Sequence, residues 1–202
     1  MHPNPGFRGE TAEANLAFAL ARGFGALCVN AGGGPLVSHL PFCGHAGGIE
    51  FHLVRAAPMA RALAAPQPGV MVVSGADAYV SPDWYGIEHQ VPTWNYHAVH
   101  LRGVVEVLPE TALREHLERL SAAFEARLQK APWRLEKVPD DVLARMMRAI
   151  VPCVLRIDEV QGTLKLGQNK PEAARQAAGR AMLAEGFGPG AAEIGARMAA
   201  PD

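Results

Sequence analysis

Four groups of residues in this 202-residue chain are of types that could do chemistry. His52 and Arg55 stand where an apolar run ends, and Pro58 follows at a spacing suited to the first turn of a helix. Strand, then cation, then helix start is a geometry that holds phosphate, through side-chain charge and free main-chain amides. A solvated arginine in a loop is the simpler alternative. Lys165-Leu-Gly-Gln-Asn-Lys170 offers amide groups for the edge of a heterocycle and point charges for a phosphate. Ordinary helix capping, with Asn169 near an N-cap, explains the same residues more simply. The stretch from Tyr79 to Tyr96 holds all three tyrosines and two of the three tryptophans. Flat rings beside amide and imidazole groups could line a slot for a flat, polar-edged ligand, or could be core. His97 and His100, three apart on a strand, point to opposite faces and cannot chelate one metal together. With no CxxC pair among Cys28, Cys43 and Cys153, no zinc pattern is visible and no metal is expected.

These residues must be positioned by strands. From Asn95 to Val107 the residues alternate, and Asn95, His97, Val99, Leu101, Gly103, Val105 and Val107 share one mostly apolar face, the signature of a long strand. Gly25–Ala31 and Pro35–Phe42, joined by Gly32-Gly33-Gly34, read as a hairpin, and Ile49–Val54 as a further strand. Gly69–Gly75 is a buried strand and Pro152–Asp158 an alternating one. Helices are expected over 12–22, capped by Thr11, then over 55–64, 110–129, 142–150 and from Pro171 to about Ala184. The 110–129 helix is the clearest, with Leu113, Leu117, Leu120, Phe124 and Leu128 on one face. The strands come mostly as neighbours, without helices between them. The expected architecture is therefore α+β, mostly β: an antiparallel barrel with peripheral helices. One domain over 1–185 is expected, with an Ala-, Gly- and Pro-rich tail over 186–202 that is loosely held.

Composition excludes several classes. Net charge is −1 with the signs interspersed, so no basic stripe is available for phosphate backbones and direct DNA binding has no electrostatic support. No apolar run is long enough to cross a bilayer, and the start of the chain lacks a secretory pattern. Together with buried, unpaired thiols this points to the cytoplasm. GxGxxG and GxxxxGK[ST] are both missing, and no nucleophile sits in a recognisable elbow.

Ser38-His-Leu-Pro-Phe42, His52-Leu-Val-Arg-Ala-Ala-Pro58, Tyr79-Val-Ser-Pro-Asp-Trp-Tyr85, Val91-Pro-Thr-Trp-Asn-Tyr96 and Lys165-Leu-Gly-Gln-Asn-Lys170 occur in that order. The set resembles the PaiB family, described as FMN-binding negative transcriptional regulators. The resemblance implies the FMN-binding split barrel, the fold of pyridoxamine-phosphate oxidase and the flavin reductases, with FMN at a homodimer interface. It assigns His52 and Arg55 to the FMN phosphate and Ser38 and His39 to a strand along the isoalloxazine. It places Thr93, Trp94, Asn95 and Tyr96 beside the ring, and it gives Lys165, Gln168 and Asn169 a reach to the flavin of the other subunit. The chain departs from the family pattern at Ala57, where Asn is usual, and at Gly167, where Ser is frequent. A flavin-linked regulator is the leading expectation. An FMN-dependent oxidoreductase is the alternative, and a haem-binding split barrel a third.

Overall fold

The computed structural model describes residues 1–201, which form seven strands and six helices. In chain order these are α1 (Ala12–Arg22), β1 (Phe24–Ala31), β2 (Gly34–Pro41), β3 (Cys43–His45), β4 (Gly48–Val54), α2 (Pro58–Ala62), β5 (Gln67–Val80), β6 (Thr93–Val107), α3 (Leu113–Glu125), α4 (Asp140–Met147), β7 (Ile150–Lys165), α5 (Glu172–Glu185) and α6 (Ala191–Ala199). The strands make one sheet in the order β2-β1-β5-β6-β7-β4-β3. Strand β1 runs antiparallel to β2, with Phe24 opposite Pro41 and Ala31 opposite Gly34. Strand β4 runs antiparallel to β7, with Gly48 opposite Arg156 and Val54 opposite Ile150.

The alternation in β6 is as expected: Asn95, His97, Val99, Leu101 and Val105 are buried, and their neighbours are half-buried or exposed. Strands β5 and β7 are longer than their apolar runs. Strand β7 continues through Glu159 and Gln161, because ladder hydrogen bonds belong to the backbone and do not require apolar side chains. At the start of α1 the Thr11 hydroxyl accepts from Ala14 N at 3.1 Å, the expected cap. Helix α3 is shorter than its periodicity, with Glu110–Ala112 forming a 3-10 turn ahead of it.

The chain divides into two compact units. The first comprises 1–15, 74–99 and the residues from 161 on; the second comprises 16–73 and 100–160. Val80, Tyr85, Leu164, Met182, Ile194 and Met198 are part of the first unit's core. In the second unit Leu27, Ile49, Phe51, Met71, Leu101 and Leu155 are fully buried.

The expectation of a loosely held tail is corrected here. Residues 191–199 form α6, which buries Ile194 and Met198 against α5. Composition misleads because the small residues are the contact surface. A Cβ on Gly179 of α5 would stand 2.5 Å from Ala199 N and 2.8 Å from Gly195 O, so the two helices meet backbone to backbone. Gly179→Val should therefore force them apart. A loss of about 1–3 kcal/mol is expected, the usual cost of overpacking, measured as a lower urea midpoint with an unchanged slope.

Candidate functional site

Within the first unit, two motifs some 70 residues apart meet. The Lys165 ammonium, at the end of β7, donates to Thr93 Oγ1 and to Trp94 O (2.8 Å), at the start of β6. It lies 5.9 Å from the centre of the Phe7 ring. Burial and the neighbouring Lys170 hold its pKa below the ordinary lysine value. Lys170 donates to Gln90 Oε1 and stands 5.6 Å from the centre of the Tyr85 ring. Beside this pair of cations lies an aromatic group. Trp94 is half-exposed and meets Tyr79 edge-on at 6.4 Å, and Tyr79 stacks on Phe187 at 5.9 Å. Tyr96 is two residues on from Trp94 on the same face of β6 and half-buried.

Other residues of the two motifs face inward or into the backbone. Asn95 is fully buried and its amide donates to Met198 Sδ at 3.2 Å. It also bonds the Tyr85 hydroxyl, whose pKa is raised by burial against the opposing pull of that bond. Gln168 donates to Leu164 O and accepts from Leu166 N, both at 2.7 Å, so its amide clamps the turn after β7. Gly167 in that turn has φ +82°, a backbone state that L side chains rarely adopt; Ser there would be strained. Asn169 is exposed and does not cap α5: Pro171 occupies the N-cap without a side-chain bond. That corrects the capping expectation. His97 is buried beneath the same strand, and burial together with the Arg197 charge brings its pKa down to about 4.

The second unit holds the remaining expected residues. Ser38 and His39 lie on β2, an edge strand of the sheet, with Ser38 half-buried, His39 exposed and Phe24 stacked on the His39 ring at 6.4 Å. Arg55 follows β4 directly. Its guanidinium donates to Arg148 O (2.9 Å), Ile150 O (3.1 Å) and the Glu110 carboxylate (2.8 Å). It is thus a positioned cation rather than a free one. Pro58 opens α2 as expected, and Ala57 is its N-cap, with no side-chain bond to offer. The Asn usual in the family would cap here, so this departure removes a helix cap. Ala57→Asn is expected to stabilise the protein by about 0.5–2 kcal/mol, read as a higher thermal midpoint.

His52 leads to a cluster that the sequence reading missed. Its Nδ1 is 3.1 Å from Nε2 of His116, a fully buried residue of α3. The Glu50 carboxylate, two residues back on the same face of β4, is also fully buried. Arg119 grips it with two bonds of 2.7 and 2.9 Å, and Cys43 Sγ donates to it at 3.4 Å. His45 Nδ1 and His116 Nδ1 lie 3.5 and 3.6 Å from Glu50 Oε2. Burial works to raise the Glu50 pKa, but the Arg119 and Cys43 bonds hold it below the ordinary range. Burial and the Glu50 charge push the Cys43 thiol up to about 12, and burial brings His116 down to about 4. The available signal was the alternation of Glu50 with His52 and the three-residue step from His116 to Arg119.

Comparison with known proteins follows from this geometry. A family model described as "Putative FMN-binding domain" matches residues 1–159. Lys165, Gln168 and Asn169 lie beyond that stretch. Protease synthase and sporulation protein PAI 2 of Bacillus subtilis (strain 168) is 28% identical over 170 residues, covering 82% of this chain and 81% of that one. Among solved structures, the FAD and heme binding protein from Mycobacterium smegmatis is similar with a TM-score of 0.57 and 21% identity, over 78% of this chain and 73% of that one. The conserved hypothetical protein Rv2991 from Mycobacterium tuberculosis reaches 0.59 at 14% identity, over 85% and 94%. The fold is the antiparallel barrel with helices that the strand pattern implied, of the split-barrel type that the resemblance implied. No helix among the described residues is long and apolar enough to cross a membrane.

Proposed function

We propose a flavin-binding protein on one premise: the chain belongs to the FMN-binding domain family and is related to PaiB. The ligand proposed is FMN, with Arg55 and His52 for its phosphate and the Thr93–Tyr96 segment with Lys165 for its ring. The observation that carries this is the bonding of Lys165 to Thr93 and Trp94, which ties together two of the motifs on which the resemblance to PaiB rests. A held cation beside half-exposed aromatic rings suits a flat, electron-poor, polar-edged ring. Arg55, fixed by two carbonyls and a carboxylate, suits a phosphate that takes over from Glu110. Ser38 and His39 are proposed to run along the ring, since an edge strand keeps unpaired main-chain groups on one side. Gln168 is assigned a positioning role, and Asn169 remains free to reach a ligand. Bound FMN would supply redox chemistry, and the protein the binding and the electrostatics.

Two extensions belong to the same proposal. The protein is a homodimer, as the resemblance implies, and light scattering should return twice the chain mass at micromolar concentration; a stable monomer would remove this part. Any regulatory role runs through a protein contact, a reading supported by the balanced charge of the chain.

Titration with FMN and with riboflavin tests the ligand and its orientation together. FMN fluorescence should be quenched on binding. Arg55→Ala should weaken FMN by about ten- to a hundredfold, the range for losing a charged hydrogen bond, while leaving riboflavin unchanged. Lys165→Met should weaken both ligands. Equal loss of both ligands in the Arg55 variant would mean that Arg55 serves the fold and not the phosphate.

A further inference from the structure

The buried cluster on β3, β4 and α3 carries an inference independent of the flavin. Three strong donors of different kinds, Cys43 Sγ, a Glu50 carboxylate oxygen and His116 Nδ1, lie within 4.8 Å of one another, and all three residues are buried. His45 Nδ1 is 3.5 Å from the same carboxylate and its side chain is one-third exposed. Beside the cluster is a cleft of about 700 Å³, lined by Leu16, Leu20, Gly44, His45, Gly48 and Arg119. We infer that Cys43, His45, Glu50 and His116 form a site for a zinc-class divalent cation, which competes with the Arg119 guanidinium for the Glu50 carboxylate.

The donor set is the first reason. Thiolate, two imidazoles and one carboxylate is a ligand combination drawn entirely from the kinds that zinc takes in four-coordinate sites. His45 Nδ1 and His116 Nδ1 stand 3.5 and 3.6 Å from Glu50 Oε2, close to the edge of a zinc tetrahedron, about 3.4 Å for bonds near 2.1 Å, and Cys43 Sγ stands 3.4 Å from the other oxygen, Oε1. The donor atoms of Cys43, Glu50 and His116 lie within 4.8 Å of one another, so these three side chains draw in by up to about 1.4 Å on binding.

His116 is the second and independent reason. Its Nδ1 is fully enclosed and stands 3.6 Å from Glu50 Oε2, beyond an ordinary hydrogen bond. When His116 Nε2–H donates to His52 Nδ1, the Nδ1 lone pair faces a carboxylate, a repulsive arrangement that a cation between them reverses. His52 then does what the outer partner of a metal-bound imidazole does: it fixes the tautomer and the ring orientation. Nothing in this uses His52 Nε2, which stays available to another ligand.

Arg119 is the third reason. Its side chain is 42% exposed and also bonds the exposed Glu115 at 3.3 Å, so it can leave Glu50 without losing every partner. As the metal–sulfur bond forms, the Cys43 thiol gives its proton to solvent, and no oxidation state changes. The earlier expectation of no metal rested on linear spacing. These four residues come from two strands and a helix, and linear spacing does not register them.

The test uses Co²⁺ as the probe on chelator-treated full-length protein, followed by absorbance. One equivalent should produce a thiolate-to-cobalt charge-transfer band and tetrahedral visible bands, and Zn²⁺ should abolish both. Cys43→Ser should remove the charge-transfer band while leaving the Glu50–Arg119 pair and FMN binding intact. Arg119→Gln should tighten Co²⁺ binding by about tenfold or more, because the competing cation is gone. The inference is overturned if no such band appears at one equivalent, if the band persists in Cys43→Ser, or if Arg119→Gln binds no tighter. Because the readout is cobalt absorbance, failure here leaves the flavin reading untouched, and failure of FMN titration leaves this one untouched.

Discussion

A fifteen-residue strand stays dry along one face only if every second residue tolerates burial. Strand β6 meets that condition from Asn95 to Val105, and the placement of its polar and aromatic side chains follows from it. One register sends Trp94 and Tyr96 to the face opposite Asn95 and His97. A slip of one residue would exchange the two sets, putting an indole in the core and an amide on the surface.

The same constraint brings polar groups inside, and each of these then selects what packs on it. The Asn95 side chain bonds Met198 and Tyr85, which joins α6 and the 3-10 turn at 82–85 to the strand. Glu50 is satisfied by Arg119 and Cys43, which fixes the rotation of α3 about its axis. Leu113, Leu117 and Leu120 alone would permit several rotations; a buried carboxylate that must meet a guanidinium permits far fewer. Polar burial costs stability when unpaired, and for that reason it specifies arrangement more sharply than apolar contact does.

Positions shared with a family need not all touch its ligand. Gln168 spends both ends of its amide on main chain, and Gly167 takes a left-handed backbone. Ala57 stands where a longer side chain would cap α2. The two departures from the family pattern thus bear first on local backbone, through a turn and a cap. Lys165 differs, since its ammonium joins one motif to another.

Much of this was legible in the order of residues alone. Strand periodicity fixed the inner face of β6, the glycine turn fixed the β1–β2 hairpin, and the motif set pointed to the family and the split barrel. These are local or near-local signals, carried by spacings of two to four residues and by short strings. Tertiary structure alone decided that 191–199 is a packed helix, because the small residues that looked like a loose tail are what lets α5 and α6 approach. It alone decided the Cys43–His45–Glu50–His116–Arg119 cluster, whose members have no common period and meet only when β3, β4 and α3 are placed side by side. Spacing along the chain encodes which way a side chain points; which other side chain it meets depends on long-range packing, for which a single sequence has no periodic mark.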